Sequence, residues 1–365
     1  MKKQRVDRIL LGIVSALIVL GLLIFLSASL GLFAKDGTSF GSVVVSQVVM
    51  GLGGGIVALL IALRTPLKFL RVYSPYFFGA SLIATLLVFI PGLGVSANGA
   101  TRWIDLGFTT FQTSELLKIG YVLFVAAWFS AARGRASDLV KGLLPFAFAT
   151  ALVGGALLLQ PDTDTFLIIA ASGVAMAFAA GMQWKHLLGC LAIGLVLIAV
   201  LFAVRPYLME RALTFLDPSR DLQGSGYQVN QSLIAVGSGE LFGRGFGQSI
   251  QKFNYLPEAT SDSIFAVYAE EFGFVGATLL VLGFLIFALR GMWVAARAPD
   301  MFGGLLALGI IVIIVSQSFL NIGSMLGLLP VGGLPLVFVS HGGSALCVAL
   351  GMVGLVLNVS RGVKS

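Results

Sequence analysis

The stretch ILLGIVSALIVLGLLIFLSASLGLF, residues 9–33, contains no charged side chain and decides the fold class of this chain. A bilayer core about 30 Å thick needs roughly 20 apolar residues per helical span, and this run is long enough to cross it. Similar runs recur along the 365 residues, of which 58% are hydrophobic and only 11% are charged. Because so few polar groups could not cover so much apolar surface in water, the sequence predicts an integral membrane protein.

The pattern of apolar runs predicts an all-α polytopic membrane protein with about ten transmembrane helices, in a single domain over residues 1–365. Eight of the nine connections are shorter, whereas the one between the seventh and eighth spans runs from about residue 205 to 270. Connections of that length are usually functional or disordered, and apolar stretches within this one favour short packed helices. The expected spans are 9–33, 43–63, 77–95, 115–132, 143–160, 165–182, 187–204, 271–290, 302–322 and 341–359.

The distribution of basic residues predicts the orientation, since cytoplasmic loops retain lysine and arginine during insertion. The two termini and the loops near 64–76, 133–142, 183–186 and 290–300 hold 15 of the 23 basic residues but 3 of the 16 acidic ones. Both termini are therefore expected in the cytoplasm, and the long connection on the opposite, outer face. The remaining residues make that outer face net acidic.

The net charge of +7 does not indicate a nucleic-acid-binding protein. The basic residues are scattered over separate short loops, where topology already explains them, and they form no continuous stripe. Cys190 and Cys347 each lie in an apolar span, which favours a packing role over a disulfide framework.

Two further outer segments interrupt the helical pattern. The first, from Ala97 to Ser114, contains Arg102 and Trp103 and runs directly into the fourth span. Trp103 there is also compatible with a simple anchor at the headgroup level. The second, GLLPVGGLPLVFVSHGGS at 327–344, has too many prolines and glycines for a regular helix, so its backbone must be buried in protein or line a cavity.

Ionisable residues beside the spans are the candidates for chemistry, because placing a charge in a membrane is costly. Glu115 and Lys118 are three residues apart, which puts them on one helix face as either a structural pair or a cavity-facing pair. Asp162 and Asp164 lie in a turn after Pro161, where a turn-forming or helix-capping role is the simpler alternative.

Asp262 is the strongest candidate for a general base. It precedes an apolar helix on the outer side, and Glu258, Asp262 and Glu270 recur at spacings compatible with a helix. Crowded carboxylates raise one another's pKa, which suits a base that works near neutral pH. A helix-capping role for Asp262 is the alternative.

Two stretches resemble motifs of soluble enzymes but lack their context. Gly243-Arg-Gly-Phe-Gly247 has neither the preceding strand nor the full spacing of a dinucleotide-binding loop. His341-Gly-Gly-Ser344 resembles an oxyanion motif, yet the sequence has no G-x-S-x-G nucleophile elbow.

Taken together, the motifs resemble those of the SEDS family (shape, elongation, division and sporulation), the membrane glycosyltransferases that include FtsW and RodA. The resemblance covers nearly the whole chain and is closer to the division branch, FtsW, than to the elongation branch. Thr113, Thr163-Asp164, Thr260 to Ser263 and His341 depart from the usual pattern, but the acidic position at 262 is kept. The matching segments are Gly99–Gly107, Gln112–Lys118, Gln160–Asp162, Leu256–Glu271 and Gly327–Ser344.

The resemblance implies polymerisation of lipid II, the undecaprenyl-diphosphate-linked disaccharide-pentapeptide, into glycan strands on the outer face of the bacterial cytoplasmic membrane, at the division septum. Asp262 would act as general base on the acceptor 4-hydroxyl, with inversion at the anomeric carbon. A departing diphosphate favours a divalent cation such as Mg²⁺ or Mn²⁺, or a basic clamp, but no motif defines a metal site. The residues expected to line and support the substrate cavity are Arg102, Trp103, Glu115, Lys118, Asp162, Arg244, Lys252, Glu258, Ser340, His341, Gly342 and Gly343, of which Arg102, Lys118, Arg244 and Lys252 are the candidate diphosphate contacts.

The resemblance also implies partners, namely a single-pass class B penicillin-binding protein that cross-links the strands, and other membrane proteins of the division machinery. Two other functions remain open from the sequence. One is a carrier that flips lipid II across the membrane, and the other is a noncatalytic scaffold of the division machinery. A carrier should expose binding groups on both sides, whereas nearly all unusual acids here are on the outer side.

Overall fold

The computed structural model describes residues 6–35, 37–97, 100–107, 109–132, 135–204, 206–217, 221, 224–253 and 255–363. Helices dominate, as the apolar runs predict. The α-helices are α1 Arg8–Lys35, α2 Gly37–Val45, α3 Gly55–Arg64, α4 Leu67–Leu87, α5 Thr113–Ala132, α6 Leu144–Leu159, α7 Thr163–Ala179, α8 Trp184–Val204, α9 Pro206–Leu216, α10 Ser225–Ser238, α11 Ile264–Ala296, α12 Met301–Met325 and α13 Gly343–Ser360. Two π-helical segments, Ser46–Gly54 and Leu139–Leu143, lead into α3 and α6.

Within the described ranges, eight segments are helical, long and apolar enough to cross a membrane. The sixth and seventh predicted spans correspond to two shorter apolar helical stretches, Thr163–Ala179 and Trp184–Val196. The polytopic helical fold is thus confirmed, while the number of ten crossings stays a prediction. Several predicted bounds are wrong. Helix α4 covers Leu67–Leu87 rather than 77–95, and α11 begins at Ile264 rather than near 271. Helix α13 begins at Gly343, which leaves His341 outside it.

The interior of the bundle is formed by α5, α12 and α13, which are the most buried of the spanning helices. Helix α12 packs against α5, α7, α11 and α13. Small residues allow this close approach. Gly309 of α12, for example, faces Val122 and Met176, and a Cβ at position 309 would lie 2.7 Å and 2.5 Å from their nearest atoms.

A small antiparallel sheet follows α4, although the sequence predicted only a loop there. Its strands are β1 Gly94–Ala97, β2 Ala100–Asp105 and β3 Thr110–Gln112, in the order β1-β2-β3. Trp103 pairs with Val95 on one side and Gln112 on the other. The sheet delivers the chain directly into α5 and fixes the register of Trp103, while Arg102 lies at the irregularity where the pairing of β1 and β2 shifts. Gly99, part of a family motif, lies outside the described residues.

The long connection contains the short helices α9 and α10, as its apolar stretches predicted, and ends at Ser263 rather than near 270. After α10 it continues through turns from 239 to 263. Gln228 of α10 donates a hydrogen bond to Ser263 at the start of α11, 2.9 Å. The second half of the connection is therefore held against the bundle.

Helix α11 is broken at Gly273, whose φ of 66° and ψ of −166° are accessible essentially to glycine alone. The turn at 240–245 supplies the backbone partners that the break removes. Arg244 N and Gly245 N donate to the carbonyls of Glu270 and Glu271, both at 3.0 Å. Phe274 N and Val275 N donate to the carbonyls of Glu240 and Leu241, at 2.8 Å and 3.1 Å. These glycine-rich residues therefore complete a broken helix.

The two ends of the bundle differ in character. At one end, Arg290 pairs with Asp7 at 2.7 Å, and Asp7 N donates to Ser360, so the described termini meet there. Helix α13 runs from that end to the other over 18 residues, about 27 Å. We call the other end the loop face; it comprises the sheet, the turn at 160–162, the connection up to Ser263, and residues 326–342.

Candidate functional site

Three consecutive backbone carbonyls hold the segment that carries Asp262. The carbonyl of Thr260 accepts from His341 N at 2.8 Å, and that of Ser261 accepts from Ser340 Oγ at 2.6 Å. The carbonyl of Asp262 accepts from Asn321 Nδ2 at 2.7 Å. We call these three bonds the carbonyl clamp. Because the donors belong to α12 and to the irregular 326–342 segment, the clamp fixes Asp262 relative to both.

Asn321 has a second role in the clamp. Its Nδ2 also donates to the carbonyl of Leu334 at 2.7 Å, while its own Oδ1 is buried without a partner among the described residues. One side chain thus ties Asp262 to the loop that contains Gly333 and Leu334. As the irregular backbone predicted, the part of this loop from 334 to 340 is largely buried in protein, with Leu336 at 1% and Val339 at 0% exposure, whereas Leu328 is 68% exposed.

The carboxyl group of Asp262 faces this loop. A Cβ at Gly333, which has a φ of 68°, would lie 3.5 Å from Asp262 Oδ2. Within the part of the chain that the structure describes, neither oxygen of Asp262 takes part in a hydrogen bond or an ion pair. The carboxylate is therefore free to accept a proton from a bound molecule.

The pKa of Asp262 is raised to about 7, and burial of the carboxyl group is the largest cause. The negative charge of Glu258 also raises it, whereas Arg102 and Arg211 oppose the shift. A carboxyl group of this kind is half ionised near neutral pH, which suits a general base. Since the folded form binds the proton more tightly than the unfolded form, the contribution of Asp262 to stability falls as the pH rises from about 4 to 7.

Arg102 connects the sheet to the turn before α7. Its Nε donates to the carbonyl of Gln160 at 3.2 Å, its Nη2 donates to the carbonyl of Pro161, and Nη1 lies 3.9 Å from Asp162 Oδ1. Asp162 is 1% exposed, and its Oδ2 has no partner among the described residues. The structure thus brings Arg102 and Asp162 together, as a pair that orders the turn. No capping bond from the Asp162 side chain is found.

Asp164 and Arg211 form a second pair that the sequence did not predict. Arg211 of α9 approaches Asp164 with 3.2 Å between Nη1 and Oδ2. A Cβ at Gly332 would lie 3.0 Å from Asp164 Cγ, so this carboxylate packs on the glycine next to Gly333. Asp164 and Asp262 therefore flank the same Gly-Gly pair, with two arginines close enough to act on them electrostatically.

Glu115 and Lys118 lie beneath the loop, inside the bundle. Lys118 Nζ donates to Glu115 Oε1 and to Gln317 Oε1, both at 2.8 Å. Gln317 in turn donates to the carbonyl of Pro335 at 3.0 Å. Both charged side chains are buried, with 4% and 1% of the residue exposed. The pair lines a narrow cavity together with Pro335, and its contacts support the loop.

Lys252 and Arg244 lie apart from the group around Asp262. Lys252 Nζ bonds Glu271 Oε1 at 2.7 Å and Ser27 Oγ at 2.9 Å in a fully buried cluster. Arg244 lies 3.5 Å from Glu270 Oε1. These contacts hold the connection against α1 and α11, and they give no support to diphosphate binding by Lys252.

The remaining predicted residues surround the clamp. Glu258 is exposed and accepts a hydrogen bond from Ser261 Oγ at 2.6 Å. The ring of His341 stacks on Phe25 with centroids 5.9 Å apart, and burial lowers the pKa of its imidazole. Gly342 N donates to Gln47 Oε1, and a Cβ at Gly343 would lie 2.7 Å from Ser46 Oγ. Ser340, His341, Gly342 and Gly343 thus pack the clamp rather than line an open surface.

The donor set does not form an all-protein metal site. Among the described residues, no group of three His, Cys, Asp or Glu side chains is placed to hold a metal ion.

Comparison with known proteins shows the family of this chain. The sequence model of the FtsW, RodA and SpoVE family, described as cell cycle protein, matches residues 7–365. The chain belongs to the SEDS family. Stage V sporulation protein E of Bacillus subtilis is 37% identical over 99% of this chain and 98% of its own length. The probable peptidoglycan glycosyltransferase FtsW of Nitrosomonas europaea is 37% identical over 98% of this chain and 93% of its own.

Solved structures agree with this assignment. The chain is similar to one in a peptidoglycan synthase complex that coordinates polymerization and crosslinking, with a TM-score of 0.80, 31% identity and 98% of each chain covered. It is also similar to the rod shape determining protein RodA of Thermus thermophilus, with a TM-score of 0.72, 29% identity, and 99% and 98% covered. The SEDS architecture therefore extends over almost the whole chain.

Proposed function

We propose that this SEDS protein polymerises lipid II into glycan strands, with Asp262 as the general base. The class of reaction follows from the relatives named FtsW: like the probable peptidoglycan glycosyltransferase of Nitrosomonas europaea, the chain is a peptidoglycan glycosyltransferase. One observation carries the role of Asp262, namely a free carboxyl group with a pKa of about 7 on a clamped backbone beside two arginines. The family supports the reaction class, and this geometry supports Asp262 as the base.

In the proposed reaction, the 4-hydroxyl of the acceptor sugar gives its proton to a carboxylate oxygen of Asp262. The hydroxyl oxygen attacks the anomeric carbon of the donor, and the bond from that carbon to the diphosphate oxygen breaks. Undecaprenyl diphosphate leaves with both bonding electrons, and the configuration at the anomeric carbon inverts. A general base contributes about 10² to 10⁴ in rate to such a step.

Arg102 and Arg211 are the basic residues best placed for the departing diphosphate. Their side chains are 17% and 34% exposed, and both act electrostatically on Asp262. Lys118 is committed to Glu115 and Gln317, so we assign it a supporting role under the loop. An arginine presents several N–H donors in a planar fork, which matches phosphate oxygens.

The loop face is proposed to point outward, because the site lies there, while the loops and termini that hold 15 of the 23 basic residues belong to the other end. A partner that cross-links the strands, a class B penicillin-binding protein, fits the likeness to a chain of a peptidoglycan synthase complex. Residence in the cytoplasmic membrane at the division septum, with other division proteins, is proposed from the resemblance to FtsW.

Sided proteoliposomes test this function. Labelled lipid II is supplied only to vesicles in which the loop face points to the outside. We expect glycan strands to form on that side without transfer of lipid II across the membrane. Transfer without strand formation would instead favour a lipid II carrier, and neither activity would favour a scaffold.

The pKa of Asp262 predicts the pH dependence of the reaction. The base must be ionised, so the rate should rise with pH, reach half its limit near pH 7 and fall about tenfold per unit below it. Strand synthesis by the purified protein is measured from pH 5.5 to 8.5 at saturating lipid II. A rate that is constant across this range would contradict the assignment.

Asn321 is proposed to position the base. In Asn321→Leu the carbonyls of Asp262 and Leu334 lose a shared donor, at a cost of about 1 to 3 kcal/mol for each unsatisfied group. We expect a fall in kcat of about tenfold or more with little change in KM. Asn358→Leu is the matched control, since Asn358 donates to the carbonyls of Ala62 and Thr65 at the far end of the bundle. Equal loss of kcat in both variants would refute the positioning role.

A further inference from the structure

The turn that completes the broken helix α11 also presents an apolar surface. We propose that Leu241, Phe242 and Phe246 insert into the membrane leaflet at the loop face and anchor the connection there. These side chains are 61%, 80% and 53% exposed. Phe242 is the most exposed large apolar side chain in the described part of the chain. We call this surface the leaflet anchor.

The protein satisfies part of the backbone of the turn that carries the leaflet anchor. Non-helical backbone at membrane depth is tolerated only where its polar groups are satisfied by protein. Gly243 N donates to the carbonyl of Gly239 at 2.8 Å. Arg244 N, Gly245 N and the carbonyls of Glu240 and Leu241 are all bonded to the break in α11. These bonds satisfy part of the backbone of the turn. Because the amides of Leu241, Phe242 and Phe246 have no protein partner among the described residues, the turn fits the headgroup level, where water and lipid headgroups can bond them, and only its side chains reach deeper.

The length of α11 places this turn at the membrane boundary. Trp293 lies between Arg290 and Arg297, at 4.0 Å and 4.5 Å from their guanidinium carbons, as expected of an interfacial aromatic residue. Phe274 lies 19 residues before it, about 28 Å along the helix, which is close to one hydrocarbon thickness. Phe274 is thus at the opposite boundary, next to the break.

The anchor continues the lipid-facing side of α11 beyond the break. Phe274, Val275, Leu279 and Leu282 are all at least 42% exposed on the spanning part of the helix. Across the break, the ring of Phe246 contacts that of Phe272, with centroids 6.3 Å apart.

Charges beside the anchor fit a position at the headgroups. Glu240 is exposed, and Arg244 is 39% exposed while lying 3.5 Å from Glu270. A long arginine side chain can keep its charge at the headgroup level while its neighbours lie deeper. This favours a shallow insertion of the three apolar side chains.

Quenching of a fluorescent label measures the insertion. In the full chain, Cys190 and Cys347 are replaced by alanine, and single cysteines are introduced as Phe242→Cys, Phe274→Cys and Thr110→Cys. Phe274 is the reference on the spanning helix, and Thr110 is an exposed polar position in the sheet of the same face. Each variant is labelled with NBD and reconstituted without partners. Phospholipids with a doxyl group on the acyl chain and aqueous iodide are the two quenchers.

We expect the label at 242 to behave as that at 274 does, with emission shifted to shorter wavelength, quenching by doxyl lipid and protection from iodide. The label at 110 should show the reverse. A label at 242 that iodide quenches and doxyl lipid does not would overturn the proposal. Iodide quenching at 242 that disappears only when the transpeptidase is added would overturn it too, by showing that the surface binds protein. Phe246→Cys provides a second position if Phe242→Cys does not reconstitute.

Discussion

Asp262→Asn is expected to lower the rate of glycan strand synthesis by about 10² to 10⁴, the range of a lost general base. Asparagine keeps the size of the side chain and leaves the backbone carbonyl available to Asn321. It cannot accept the proton of the acceptor hydroxyl. Because the carboxyl group of Asp262 makes no hydrogen bond or ion pair within the described residues, folding should be unaffected. Rates are measured with labelled lipid II at several enzyme concentrations.

The matched control for this substitution is Asp300→Asn. Asp300 is exposed before α12, and its side chain makes no capping bond. This variant should keep the wild-type rate. If Asp262→Asn synthesises strands at the wild-type rate, Asp262 is not the base, whatever the rate of Asp300→Asn.

Lys118→Met is expected to destabilise the folded protein by about 3 to 5 kcal/mol, because it leaves Glu115 as a buried charge without its partner. Glu115 is 4% exposed, and Lys118 Nζ is its ion-pair partner, at 2.8 Å. The lysine also bonds Gln317, which holds Pro335, so the loop beneath Asp262 should loosen as well. Thermal unfolding in detergent, followed by loss of the monodisperse species, measures the effect.

The double variant Glu115→Gln/Lys118→Met separates a lost charge partner from lost packing. Removing both charges should restore most of the stability, since no unpaired charge remains. Lys68→Met, at an exposed position of α4, should leave stability unchanged. A single variant Lys118→Met as stable as the wild type would contradict the pairing.

The sequence predicted those parts of the fold that depend on hydropathy and local spacing. Apolar runs mark the spanning helices because the bilayer imposes their length. The pairing of Glu115 with Lys118 could be predicted because side chains three residues apart on a helix lie on the same face. The irregular loop before α13 followed from its prolines and glycines.

Features that depend on contacts between distant segments were not predicted. Asn321 is 59 residues from Asp262 in sequence, and Arg211 is 47 from Asp164. Asn321 lies in the spanning helix α12, and Arg211 lies on the short helix α9. The sequence around neither residue indicates its distant partner. The only local signal at Asn321 is a polar side chain in a largely apolar span, which Ser316, Gln317 and Ser318 share.

The sheet and the break in α11 were missed for different reasons. The strands β1 to β3 have three to six residues, too short for alternation to stand out between two membrane spans. Gly273 lies in an apolar run that reads as one continuous helix, since glycine is common in transmembrane helices. The break becomes evident only with the turn at 240–245 that completes its hydrogen bonds.

Gel analysis of purified protein acting on labelled lipid II in detergent micelles tests the central claim most directly. Micelles have no two sides, so transport gives no signal and only polymerisation is detected. The protein with its transpeptidase should produce a ladder of glycan strands, and the same preparation carrying Asp262→Asn should form strands about 10² to 10⁴ times more slowly. Absence of strands from the wild-type pair, or equal ladders from both preparations, would contradict the account.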